Sequence, residues 1–164
     1  MTSGCIEIAK GCLLAALFAC GPAVIAHADD PERPDIVACV RAVDGLDAAF
    51  RDKMQSHCLV LAGNFCEAPT SGPMLDCLTD VTADMTEFVA QALPRLPGSV
   101  DLSPFRSRTY ARTLSRLQEG RDHAAHCAAQ YARTFDRAIC QNVAVFADLT
   151  DVFDAARTAG VTLP

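Results

Sequence analysis

Apolar residues recur at intervals of three and four from Ile36 to Phe153, which predicts a chain that is helical almost throughout. Asp35 is placed to cap a first helix with Ile36, Val37, Val40, Val43 and Leu46 on one face. A second helical run covers Phe50 to Leu61 and is expected to stop at Gly63-Asn64. Pro69-Thr70-Ser71-Gly72-Pro73 is a loop by composition. A third helix follows, with Met74, Leu78, Val81, Met85, Phe88, Val89 and Leu93 in register, and Pro94, Pro97 and Gly98 end it.

Ser103-Pro104 signals another helix start. The stripe after it runs through Phe105, Leu114, Leu117, Tyr131, Phe135, Ile139, Val143, Phe146, Leu149 and Phe153, and Gly160 closes it. One straight helix over that span would be about 80 Å long. A domain of this size is only about 30–40 Å across. The stripe therefore folds back at least once, at Gly120 or near Arg133-Thr134-Phe135-Asp136, where Thr134 or Asp136 can cap a new helix. No strand of convincing length and no internal repeat is present. The expected class is all-α, with four to five helices in a small disulfide-stapled bundle occupying residues 35–164.

The first residues differ in character. Lys10 precedes the apolar run Gly11 to Cys20, Gly21-Pro22 breaks it, and Ala26-His27-Ala28 ends in a small-residue cleavage pattern. That order is the order of a secretory signal peptide, here residues 1–28. Residues 29–34, polar and proline-bearing, are expected to form a flexible leader. The alternative is lipidation at Cys20, since Leu17-Phe18-Ala19-Cys20 looks like a lipobox. Phe18 fits that motif poorly, and the stretch after Cys20 is apolar.

The cysteines divide at the same place. Three of the nine lie in the first twenty residues, and six (Cys39, Cys58, Cys66, Cys77, Cys127, Cys140) lie beyond Ala28. Six in a short exported domain read as three disulfides, which implies a periplasmic or secreted location. Fifteen pairings are open. Cys66 and Cys77 flank the proline-glycine loop, and Cys39 and Cys58 sit on consecutive helices. Cys127 and Cys140 would be about 20 Å apart on one straight helix, so they pair only if the chain turns near Thr134. The favoured set is Cys39–Cys58, Cys66–Cys77 and Cys127–Cys140.

Composition narrows the partners. The net charge is −6 and the pI about 5.0, which argues against a nucleic-acid partner and is compatible with a cationic protein. There is no Trp and only two Tyr, a poor supply for stacking on carbohydrate. Asp76, Asp80 and Asp84 recur every four residues on the third helix and read as a solvated acidic face. Arg106, Arg108, Arg112, Arg116 and Arg121 form a basic stripe that can bind an anion or pair with that acidic face, the pairing being favoured.

His123, His126 and Cys127 form an H-x-x-H-C cluster, and His57-Cys58 a second His-Cys pair. A metal site there would require reduced cysteines in an oxidising compartment. No nucleophile-elbow, phosphate-loop or dinucleotide motif occurs. No catalytic residue, cofactor or metal is therefore expected.

The pattern Ile36-Val37-Ala38-Cys39, Cys58, Cys66, Gly72-Pro73-Met74-Leu75-Asp76-Cys77-Leu78, the Leu114-to-Cys127 stretch, and Cys140 followed by a helix with Arg157 resembles the lysozyme-inhibitor LprI-like family of small exported helical proteins. The likeness covers most of residues 36–158. The family's glutamine-arginine-x-tryptophan run is missing, and Arg121-Asp122 stands further from Cys127 than the family's spacing. The resemblance implies a disulfide-bonded binding protein that inhibits a cationic lysozyme by occluding its groove without covalent chemistry. Such an inhibitor presents a polar loop. Glu67, Thr70 and Ser71, in the loop between Cys66 and Cys77, are the candidate contacts. The rival is an envelope structural or scaffolding protein with no enzyme target.

Overall fold

The computed structural model describes residues 32–164. The expected signal segment and Cys20 lie outside the described residues. Among those described there are six α-helices and no strand: α1 (Ile36–Asp44), α2 (Ala48–Glu67), α3 (Met74–Ala92), α4 (Pro104–Glu119), α5 (His123–Gln130) and α6 (Thr134–Ala159). The fold is all-α. The expected count of four to five is corrected to six, because the long C-terminal stripe breaks at both Gly120 and residues 131–133.

Local chemistry explains the helix starts. The Asp35 carboxylate accepts from the Ala38 amide at 2.9 Å, Asp47 from Ala49 at 3.0 Å and Asp122 from Ala125 at 2.8 Å. Each satisfies an amide that the first turn leaves without an intrahelical partner. Pro104 occupies the first turn of α4, where its missing N–H costs nothing.

Helix α2 does not stop at Gly63-Asn64 but continues to Glu67. A mid-helix glycine costs roughly 1 kcal/mol relative to alanine. Ala62 and Cys66, on either side, are almost fully buried, and their packing outweighs that cost. Pro69 then ends the helix by pushing Ala68 into extended backbone.

Helices α3 and α6 form the central pair, with the most extensive packing in the molecule. Val81 and Met85 of α3 belong to one buried cluster with Leu149 and Val152 of α6. Phe88 stacks on Phe153 with ring centroids 5.3 Å apart, and the Arg41 guanidinium lies 5.6 Å from the Phe88 centroid. Asn142 donates to the Thr82 hydroxyl at 3.1 Å, so a buried amide between the two helices is satisfied.

The α1–α2 hairpin packs on this pair. Helix α4 covers the C-terminal half of α6 through a second cluster of Leu96, Tyr110, Leu114, Ala155 and Ala156. The Tyr110 hydroxyl donates to the Pro97 carbonyl at 2.6 Å, and burial raises its pKa above the ordinary value. Helix α5 packs on α6.

Three disulfides staple the bundle. Cys39–Cys58 ties α1 to α2, Cys66–Cys77 ties α2 to α3, and Cys127–Cys140 ties α5 to α6. Their Cα atoms lie 5.8, 5.5 and 5.8 Å apart. Arg157 pairs with Asp44 and Asp154, linking the end of α6 to α1. None of the described helices is long and apolar enough to cross a membrane.

Candidate functional site

The loop between α2 and α3 is held at both ends by Cys66–Cys77 and tightened by a 3-10 turn over Pro69–Ser71. Gly72 has φ +75° and ψ −158°, a backbone region that only glycine occupies without strain. Glu67, at the last turn of α2, is exposed. Thr70 lies in the 3-10 turn. Ser71 is turned inward: its hydroxyl oxygen lies 2.7 Å from the Ala68 carbonyl and 2.9 Å from the Cys66 carbonyl. Its proton is used within the loop, so Ser71 acts as a brace for the loop and has no proton left to give a partner.

The loop runs directly into an acidic ridge. Asp76, Asp80, Asp84 and Glu87 fall on one side of α3 at helical spacing, and all four are exposed. Asp84 accepts from Arg33 at 2.6 Å. Asp76, Asp80 and Glu87 form no ion pair among the described residues. The sequence-based expectation that the α4 arginines pair with this face is corrected. Arg116 pairs instead with Asp151 of α6, and Asp84 takes its cation from the segment before α1. Helices α3 and α4 both pack on α6, and it is α6 that supplies the carboxylate Arg116 meets.

A second polar cluster lies where α4, α5 and α6 meet. A cleft of about 440 Å³ there is lined by Arg116, Arg121, His123, His126, Asp148 and Asp151, among others. His123 Nε2 is 2.6 Å from Asp148 Oδ2, and both side chains are largely buried. His126 instead meets Gln130 at 3.1 Å. The two histidines of the H-x-x-H pattern therefore serve different partners. All six cysteines of the described chain are in disulfides. Among the described residues no group of three or more His, Cys, Asp or Glu is placed to hold a metal ion.

Among the described residues that line the cleft there is no serine, threonine or cysteine. The evident work of the His123–Asp148 pair is to tie α5 to α6. Neither the His123–Asp148 pair nor the Arg116–Asp151 pair was legible in the sequence. Their members stand 25 and 35 residues apart, and helical periodicity reports only neighbours within one helix.

Burial holds the Asp151 carboxyl above the usual carboxylate range. Arg116 opposes that shift, and Asp148 and Asp154 add to it. The sign follows: a carboxyl whose folded-state pKa is raised binds its proton more tightly in the folded chain. Its charge therefore weighs against folding at neutral pH and is relieved on acidification. Arg116→Ala would leave Asp151 without its paired cation beside Asp148 and Asp154. We expect it to lower stability by about 1–2 kcal/mol at pH 7.5. The difference from the parent should shrink as Asp151 takes up its proton towards pH 4. Urea unfolding of both proteins at the two pH values checks this; a difference that grows on acidification would contradict the assignment.

No protein-family model, curated protein or solved structure matches the chain.

Proposed function

We propose that this is an exported, disulfide-bonded binding protein of the periplasm or the extracellular space, whose partner is a cationic protein. Lysozyme is the case that the family resemblance implies. The observation that carries the reading is the juxtaposition of a stapled, glycine-bent loop with an unpaired acidic ridge, from Glu67 through Asp76 and Asp80. A ridge of like charge on a rigid helix attracts an opposite field and speeds encounter. A loop already closed by a disulfide loses little freedom when it docks. Binding of this kind blocks a groove by occupying it, and no bond is made or broken. Three disulfides among the described residues and the lack of any described membrane-spanning helix are compatible with export.

Purified protein in micromolar excess is expected to slow lysis of a peptidoglycan substrate by lysozyme. Asp76→Asn combined with Asp80→Asn is expected to weaken that inhibition about 5- to 30-fold, with most of the effect on association rate and lost in high salt. Absence of inhibition by the parent protein would overturn the lysozyme reading.

A second reading, an envelope scaffolding protein with no enzyme target, draws on a different observation. Phe50, Met54 and Leu61 are exposed along one side of α2. Retention of named envelope components by the parent, reversed by Met54→Ser with Leu61→Ser, would favour it.

A further inference from the structure

Helix α4 and the turn after it concentrate positive charge in an otherwise acidic protein. Residues 104–121 carry five arginines against a single acid, Glu119, while the whole chain has a net charge of −6. Only Arg116 is paired, with Asp151. Arg106, Arg108, Arg112 and Arg121 are exposed and form no ion pair among the described residues.

Arg108, Arg112 and Arg116 follow one another at i, i+4 spacing, where like charges repel and reduce helix stability. Arg116 recovers part of that cost through Asp151, but Arg108 and Arg112 form no ion pair among the described residues. Phe105, three and seven residues before Arg108 and Arg112, stands in the first turn on their side of the helix, is 73% exposed and borders a cleft shared with Tyr110 and Asp154. The face opposite is the one that α6 covers through Tyr110 and Leu114. Arg108, Arg112 and the ring thus share the side of α4 away from Tyr110 and Leu114, while Arg116 reaches Asp151 of α6.

We propose that the outward face of α4 docks on an anionic phospholipid surface. Guanidinium groups in a row match a plane of phosphates. An aromatic ring at the end of that row suits the boundary between headgroups and acyl chains. A nucleic acid fits less well. The basic footprint is one short helix, and the acidic remainder of the chain, including the α3 ridge, repels a long polyanion. Docking through α4 is independent of the acidic ridge proposed for the protein partner, because the two faces share no residue.

The test is co-sedimentation of the full chain with vesicles. One set contains phosphatidylglycerol in phosphatidylcholine and the other phosphatidylcholine alone. Binding is expected to the anionic vesicles only and to fall steeply with salt. Arg108→Gln with Arg112→Gln should weaken it about 25-fold, at roughly fivefold for each cation removed. Arg108→Lys with Arg112→Lys keeps the charge and should bind within about threefold of the parent. Phe105→Ser should weaken binding by roughly fivefold or more. All variants share residues 1–31, so their differences report on α4, and all should keep the parent's circular dichroism because the side chains are exposed. Three results would overturn the proposal: equal binding by the glutamine variant, equal binding to neutral vesicles, or tighter binding to a short DNA duplex than to the anionic vesicles.

Discussion

Leu149→Ala is expected to lower folding stability by about 3 kcal/mol, within the 2–5 range for truncating a fully buried leucine. Leu149 has no exposed surface and belongs to the buried cluster that Val81 and Met85 of α3 share with α6. Its loss opens a cavity in the seam between the two central helices, where neighbours on both sides are held by helix backbone and relax little. A domain of this size has about 5–15 kcal/mol in total, so the variant should unfold at a clearly lower urea concentration. Leu149→Met, which conserves volume, should cost less than about 1.5 kcal/mol. Ile139→Ala on the same helix should cost no more than about 0.5 kcal/mol, because Ile139 is exposed. Equal losses at 139 and 149 would mean that the buried face of α6 has been misassigned.

Replacing Cys127 and Cys140 by serine is expected to have the next largest effect, and to act locally first. The bridge closes a loop of about 14 residues, worth about 3 kcal/mol on a chain-entropy estimate. Helix α5 has eight residues and only Cys127 fully buried. Helices shorter than about 12 residues are marginal alone in water, so α5 depends on its attachment to α6. Without the bridge, the His123–Asp148 pair is its main remaining tie. Amide exchange across His123–Gln130 should then rise by at least tenfold, while the amides of α3 and the second half of α6 stay protected. Unchanged protection in α5 would show that His123–Asp148 and packing alone hold it.

The all-helical class was legible from the three- and four-residue spacing, and several boundaries from single residues. Asp35 caps α1, Ser103-Pro104 opens α4 and Gly160 closes α6, because capping is a contact between residues adjacent in sequence. Less could be read of the candidate site. The loop at 67–73 was visible from its prolines and glycine. That Ser71 braces the loop was not, since its partners are backbone carbonyls that come near only once the 3-10 turn forms.

The amino-acid sequence by itself determined that this chain makes amphipathic helices, where most of them begin, and that its last apolar stripe is too long to remain one rod. Those properties rest on interactions over three or four residues and on the fixed rise of a helix. Only the tertiary structure decided that α2 runs past Gly63, that the stripe breaks twice, and that Arg116 meets Asp151 rather than the α3 ridge. Each of these depends on which helices lie side by side. Burial of Ala62 and Cys66 outweighs a glycine, and the pairing of charges 35 residues apart follows from how α4 lies along α6, which helical periodicity does not encode.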